Sequence, residues 1–356
     1  MITESLLQEI NKGRDGRSQG YSMGLPKLEY LTDGVTDSTY TLLFASSGQG
    51  KSSFALYTYV YKPIMEHLED DKLLIIFFAL EMKKEFIMAK LLSTYIHEVY
   101  GIDLGIKEIL SRKKGYKLSD EHYKIIQECV PWLNKVEKVL HIYDKSLTSD
   151  KLYAILLDEL EKQGTFQGED HTNYKPNNSS KVILSIIDHA GLMQTSKGRT
   201  KKEEIDRGSK MIVSLRNRTG LSCVWIMQSN RSVASMDRKK QGFNEPMIED
   251  IKDSGGPSED AEIVLSVYNP NKDHLSTYRD YDIKIMQNYF RSILCLKSRY
   301  GESDAVDCCY FNGKINLWEE LPKPNEIYDY SVYVPSEDNK KDVSDKLLEP
   351  KRKFTI

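Results

Sequence analysis

Residues 40–56 read Tyr-Thr-Leu-Leu-Phe-Ala-Ser-Ser-Gly-Gln-Gly-Lys-Ser-Ser-Phe-Ala-Leu. An apolar, strand-prone run (Leu42, Leu43, Phe44) stops at a loop of small residues: Ala45, Ser46, Ser47, Gly48, Gln49 and Gly50. Lys51, Ser52 and Ser53 follow at once, and Phe54, Ala55 and Leu56 begin a helix. Strand, glycine loop, Lys-Ser and helix form the layout of a phosphate cradle. Gly48 and Gly50 let backbone N–H groups converge, and the helix adds the positive end of its dipole. Lys51 can reach β- and γ-phosphates, and the Ser52 hydroxyl can ligate Mg²⁺. The usual pattern has glycine where Ala45 stands, so Ala45 must keep a negative φ. The stretch is a candidate nucleotide site, with Ser46 to Ser53 as its wall.

Three more strand ends carry polar groups. Residues 72–80 (Lys-Leu-Leu-Ile-Ile-Phe-Phe-Ala-Leu) end at Glu81, residues 181–187 lead to Asp188, and residues 221–227 lead to Gln228. A carboxylate at the carboxyl end of a parallel strand sits where open α/β sheets bind ligands. Cleaving a γ-phosphate needs positioning, charge neutralisation and an oriented water more than covalent chemistry. Lys51, Ser52 and Asp188 supply the first two, with Asp188 holding the hydration shell of Mg²⁺. His189 follows Asp188, so the carboxylate that polarises the water must come from elsewhere, and Glu81 is available. Gln228 could sense the γ-phosphate. Taken alone, Glu81 is equally a helix-start glutamate favoured by the dipole, and Asp188 has a helix N-cap as its alternative.

The elements that must hold these residues can be read from the pattern. Residues 1–25 are polar and read as an arm that is either disordered or docks on another subunit. A helix is expected from Ser52 to about Lys62, where Pro63 interrupts it. The strands at 72–80 and 181–188 are apolar almost throughout, the pattern of strands buried on both faces of a parallel sheet. Residues 164–180 read as a structureless surface insertion. Residues 305–311 and 314–318 around Asn312-Gly313 predict a C-terminal β-hairpin. The expectation is an α/β domain over 26–320 with a mostly parallel central sheet flanked by helices, then an extended tail over 321–356.

Composition sets few limits. The chain has 356 residues, 40% hydrophobic and 29% charged, as in ordinary globular proteins. No run of 18 apolar residues occurs, so no membrane partner is expected. Five cysteines without a Cys-x-x-Cys pair fit buried thiols in a reducing, cytoplasmic setting. Net charge is −3, so a nucleic-acid site must be a local basic patch.

The ordered motifs resemble the RecA-type ATPase domain of DnaB-type replicative helicases. Phe77–Met82 (Phe-Phe-Ala-Leu-Glu-Met) resembles that family's F-x-S-L-E-M, whose glutamate is the catalytic base. The run from Ile186 to Met193 is similar to its I-D-Y-L-Q-L-M, and Gln228-Ser229-Asn230-Arg231 to S-Q-L-N-R with drift. Pro246 to Gly255 and Glu259 to Leu265 are close to its P-x-x-x-D-L-R-x-S-G and Q-D-A-D-x-V. Lys297-Ser298-Arg299-Tyr300-Gly301 matches K-x-R-x-G. The resemblance spans roughly residues 20–320, and the departures are Ala45, the insertion and the missing N-terminal helical domain.

The resemblance implies a RecA-like P-loop NTPase core in a homo-hexameric ring, ATP and Mg²⁺ at subunit interfaces, and single-stranded DNA in the pore. Lys297 and Arg299 would act in the neighbour's site as an arginine finger does. Arg231, Lys252, Asp253 and Gly255 are the DNA-binding candidates it implies. Arg238, Lys239 and Lys240 are weaker ones, with a solvated charge run as the alternative. Primase or a helicase loader would be further partners, and a phage-like compact chain acting in the host cytoplasm fits. Two other readings are a RecA/RadA-like recombinase and a non-hydrolysing DNA-binding or loader-associated module. The Phe-Ala-Leu-Glu-Met and Lys-Ser-Arg-Tyr-Gly matches argue against the first. Retention of Lys51, Ser52, Glu81 and Asp188 argues against the second.

Overall fold

Each long apolar run is a strand whose alternate residues enter two separate cores. In Tyr40–Ala45, Leu43 and Ala45 pack on one face, and Tyr40, Leu42 and Phe44 on the other. The structure is a computed structural model describing residues 2–14, 19–112, 114–168, 173–230, 245–252, 255–299 and 301–335.

Thirteen strands occur among the described residues: β1 (Tyr40–Ala45), β2 (Leu73–Ala79), β3 (Leu140–Tyr143), β4 (Gly164–Gln167), β5 (Asn173–Pro176), β6 (Val182–Asp188), β7 (Ser222–Gln228), β8 (Ile263–Tyr268), β9 (Thr277–Tyr278), β10 (Tyr281–Asp282), β11 (Phe290–Ser298), β12 (Ala305–Asn312) and β13 (Leu317–Glu320). Nine form one sheet in the order β13-β12-β11-β8-β1-β7-β6-β2-β3. From β8 to β3 every pairing is parallel, and β11, β12 and β13 add an antiparallel wing. The expected α/β architecture with its C-terminal hairpin is therefore present. The register sets Ala45 level with Gln228, and Ala79 level with Asp188. Four strand ends thus open on one edge of the sheet.

Helices close both faces. Lys51–His67 and Lys84–Tyr100 cover one, Ser149–Gln163 and Lys201–Thr219 the other. Gly208 lets the last of these approach closely, since a Cβ there would lie 2.8 Å from the Trp225 ring. Thr200 caps that helix in a capping box with Glu203, and Gly220 ends it in the left-handed conformation.

Four expectations need correction. Pro63 does not end the first helix, which runs on to His67. The preceding turn, Leu56–Tyr61, widens to a π-helix, which relieves the crowding a proline ring otherwise meets one turn back. The 164–180 segment is not structureless, because β4 and β5 pair as a short antiparallel hairpin. Phe166 and Tyr174 meet across it as tilted rings with centroids 5.0 Å apart, a cross-strand contact hidden by the polar residues around it. The 1–25 segment is not all arm. Ile2–Arg14 is helical, and Tyr21, Met23 and Leu25 are buried, with Tyr21 bridged to Val35. Their alternation was the available signal. At the other end, the expected tail starts with packed turns: Tyr281 donates to the Pro322 carbonyl, and Tyr330 and Tyr333 lie against the core. Residues 336–356 fall outside the described residues.

One buried carboxylate ties the loop after β6 to the helical face. Glu204 accepts from the Ser149 backbone N–H and hydroxyl at 2.7 Å each, and from the Ser196 N–H at 3.0 Å. Burial alone would raise its pKa, but these donors from Ser149 and Ser196 hold it down to about 2. A carboxyl below its unfolded value stabilises the fold above pH 4.5 and loses that contribution as pH falls toward 2. Glu204→Gln should cost about 1–2 kcal/mol at neutral pH, by weakening charge-assisted bonds to neutral ones. Denaturant titrations at pH 7 and pH 3 should show the difference from wild type shrinking at the lower pH.

Candidate functional site

The loop after β1 is built as a cradle. Gly48 and Gly50 have φ of 69° and 111°, conformations that L-residues avoid, whereas Ala45 stays within the strand. Gly50 caps the helix that starts at Lys51, and its carbonyl accepts from Phe54 N–H at 2.8 Å. A Cβ on Gly50 would lie 3.4 Å from the Trp318 ring and 3.6 Å from Phe311, so the loop rests on aromatic side chains from the wing. Lys51 is buried, and Ser46, Ser52 and Ser53 are partly so.

Ser52 and Asp188 meet directly. The hydroxyl donates to Asp188 Oδ1 at 3.0 Å. Asp188 is 1% exposed, and burial pushes its pKa up to about 6 against the pull of Ser52 and Lys51. Glu81 adds to the rise, while Lys90 opposes it. A hydroxyl and a carboxylate side by side are the hard-oxygen donors that suit Mg²⁺, which takes its other ligands from water and phosphate. The residues present fit that ion.

Glu81 follows β2 on the same edge, and half of its side chain is exposed. His189 reaches within 3.8 Å of its Oε2 through Nε2. Burial and nearby Lys51 lower the histidine pKa, and its Nδ1 has no hydrogen-bond partner among the described residues. Gln228 ends β7, between the phosphate-loop strand β1 and the Asp188 strand β6, and its carbonyl accepts from Lys252 N–H at 3.0 Å.

Sequence reading missed Lys90. Its amine, from the Lys84–Tyr100 helix, donates to Ser53 Oγ at 2.8 Å. Burial lowers its pKa, and the charges of Asp188 and Glu81 raise it. A lysine one helical turn below Ser93 and Thr94 looks like an ordinary surface cation in the sequence. Only the approach of two helices under the loop reveals it.

Other expected residues lie elsewhere. Lys297 donates to the Ser258 and Glu259 carbonyls at 2.9 and 3.2 Å. Arg299 pairs at 3.2 Å with buried Glu262, which also binds Arg216 and accepts from Tyr40 N–H. Tyr40 opens β1 and the phosphate loop closes it, so Arg299 stands at the opposite edge of the sheet. Lys252 and Gly255 follow the segment after β7, whose base is pinned by the Ser229–Ile251 bridge. Arg231, Arg238, Lys239, Lys240 and Asp253 lie outside the described residues.

Replacing Lys90 with Met should lower nucleotide hydrolysis roughly tenfold to a hundredfold, the usual cost of a misplaced catalytic loop. Steady-state hydrolysis beside a thermal melt checks this. Unchanged turnover would reduce Lys90 to a packing residue.

The family described as "DnaB-like helicase C terminal domain" matches residues 20–320. A replicative DNA helicase DnaB of Helicobacter pylori strain J99 is 26% identical over 267 residues, covering 75% of this chain and 47% of that protein. A probable replicative DNA helicase of Trieres chinensis is 24% identical over 310 residues, covering 86% and 58%. The chain thus spans about half the length of the curated relatives it matches. Among solved structures, one described as an ATPase domain aligns with a TM-score of 0.69 at 17% identity, covering 90% of this chain and 99% of that one. A DnaB-like replicative helicase, described with its interactions with primase, aligns with a TM-score of 0.66 at 17% identity, covering 90% and 67%. These two likenesses establish the fold.

Proposed function

Because the chain belongs to the family of DnaB-like helicase C-terminal domains, we propose that it is an ATP-hydrolysing motor of a replicative DNA helicase, assembled as a homo-hexameric ring around single-stranded DNA in the cytoplasm. The observation that carries this is the level set of strand ends: the phosphate loop, Gln228, Asp188 and Glu81 occupy successive strands on one edge.

In this reading the loop from Ser46 to Ser53 cradles the triphosphate, with Lys51 on the β- and γ-oxygens. Ser52 and Asp188 would hold Mg²⁺, Asp188 partly through water, and the bound ion would supply charge neutralisation for the β- and γ-phosphates. Glu81, open to solvent on one side, orients and deprotonates the attacking water. Lys90 stays close to both carboxylates and Ser53, so it fixes the loop against them. Gln228 reports the γ-phosphate to the segment after β7, whose returning end it anchors through Lys252.

Lys297 and Arg299 cannot serve their own phosphate loop from the far edge of the sheet. Placed against a neighbour, they would neutralise transition-state charge there. The Ile2–Arg14 helix supports assembly, since Leu6, Leu7 and Ile10 are exposed and suit docking on another subunit. Lys252, Gly255 and the loop after Asp188 would line the DNA path with Arg231, Arg238, Lys239, Lys240 and Asp253. A primase or a loader is a further partner in this reading.

A strand-displacement assay on tailed forks, with ATP turnover measured alongside, tests the proposal. Wild type should hydrolyse ATP faster with single-stranded DNA and separate the fork. Glu81→Gln should bind ATP yet turn it over roughly 10³-fold more slowly, the scale of losing a general base. Tight DNA binding without any stimulated hydrolysis would refute the motor. Mixing Arg299→Ala subunits into wild-type rings should depress activity more than in proportion to their share. A strictly proportional loss would refute action in the neighbour's site.

A further inference from the structure

Two cations grip the phosphate loop by its carbonyls, and neither has a carboxylate within ion-pair distance among the described residues. Lys272, in the Pro270–Asp273 turn after β8, donates to the Ser47 carbonyl at 3.0 Å and the Gly48 carbonyl at 2.9 Å. Arg291, near the start of β11, donates from Nε to the Gln49 carbonyl at 2.7 Å. Three consecutive carbonyls of the loop are therefore held by positive side chains. Arg291 is 5% exposed. Its Nη1 donates to the carbonyls of Asn288 and Phe290 at 2.8 and 2.7 Å, and its guanidinium lies 4.9 Å over the Phe311 ring. Burial lowers the Arg291 pKa to about 10, and burial and Arg291 lower that of Lys272.

Two consequences follow. A trans peptide points its C=O and N–H in opposite directions. Tying the Ser47 and Gln49 carbonyls to the cations turns the N–H groups of Gly48 and Gly50 away from them. The Gln49 N–H is used inside the turn, on the Ser46 carbonyl at 3.3 Å. In addition, a buried guanidinium without a counter-ion is costly, and an anion on the loop lowers that cost.

We propose that Lys272 and Arg291 are positioning residues for the polyphosphate of the bound nucleotide. They fix the carbonyl side of the loop so that its amides are set for phosphate, and they supply positive charge behind it. The inference rests on the nucleotide-site reading given above.

Titration calorimetry of the full chain with Mg-ADP tests it, with melts in the presence and absence of Mg-ADP. Lys272→Met and Arg291→Met should each weaken ADP binding about tenfold, the scale of one charge-assisted hydrogen bond. In ATP turnover the loss should appear in KM, with kcat changed less than about threefold, as expected for uniform binding. Arg291→Lys should recover part of the affinity. Lys272 is surface-facing, so its methionine variant should melt like wild type without ADP, while the ADP-induced shift in midpoint shrinks. If Arg291→Met fails to fold, Lys272→Met decides alone. An unchanged ADP affinity in folded variants, with or without a lowered midpoint, overturns the inference and leaves the nucleotide site standing. Failure of wild type to bind ADP while retaining a cooperative melt overturns the nucleotide reading itself, and this inference with it.

Discussion

Asp188 keeps a carboxylate almost wholly away from water at the end of a central strand, and the surrounding site follows from how that charge is tolerated. Ser52, Lys51 and Lys90 favour the ionised form, while burial and Glu81 oppose it. With a pKa raised to about 6 from 3.8, ionisation at neutral pH costs the fold a few kcal/mol. The sign is the reverse of that at Glu204. The stability linked to protonated Asp188 is present at acid pH and is lost as pH rises through about 6. In the reading proposed here, Asp188 weakens the empty protein because it is retained for binding. The divalent cation and phosphate proposed here would convert that strain into affinity.

The antiparallel wing is the other half of the support. Parallel strands alone leave the phosphate loop covered only by its own helix. β12 and β13 bring Phe311 and Trp318 under Gly50, where their rings lie 4.3 Å apart by centroid, and Phe54 meets Trp318 edge-on at 5.2 Å. The loop is thus held by an aromatic floor below and by two cations on its carbonyls. A hairpin that looks like a peripheral addition in chain order is part of the cradle's wall.

This explains what could be read from residues alone. The main strands, the mostly parallel sheet and the four polar strand ends were legible because a two-face-buried strand writes its limits as a break in apolarity. Asp188 and Glu81 stand at such breaks. Lys90, Lys272 and Arg291 were not legible. Each is a basic residue on a helix, turn or strand start whose role depends on contacts 37 to 242 positions away in sequence. Periodicity describes which face a residue takes, not which backbone atoms another segment will present to it. The π-turn before Pro63 and the β4–β5 hairpin escaped for a related reason. Each replaces the commoner local outcome because of packing, and propensity yields to packing wherever buried area is large.

The position of Glu262 bears on how neighbouring sites could be joined. Its carboxylate accepts from Tyr40 N–H at the start of β1 and also holds Arg299 and Arg216. β1 has 6 residues, so roughly 20 Å of rigid strand separates this clamp from the phosphate loop at the other end. A central parallel strand flanked by β7 and β8 has little freedom to stretch or shear. The proposed phosphate-binding end and the arginine-bearing end therefore stand at fixed separation. In the reading proposed here, the chemistry would be completed head to tail with another copy. Head-to-tail contacts close into rings when the rotation between copies allows it. In the ring proposed here, β1 is the rod that sets the distance between the site a subunit owns and the site it completes.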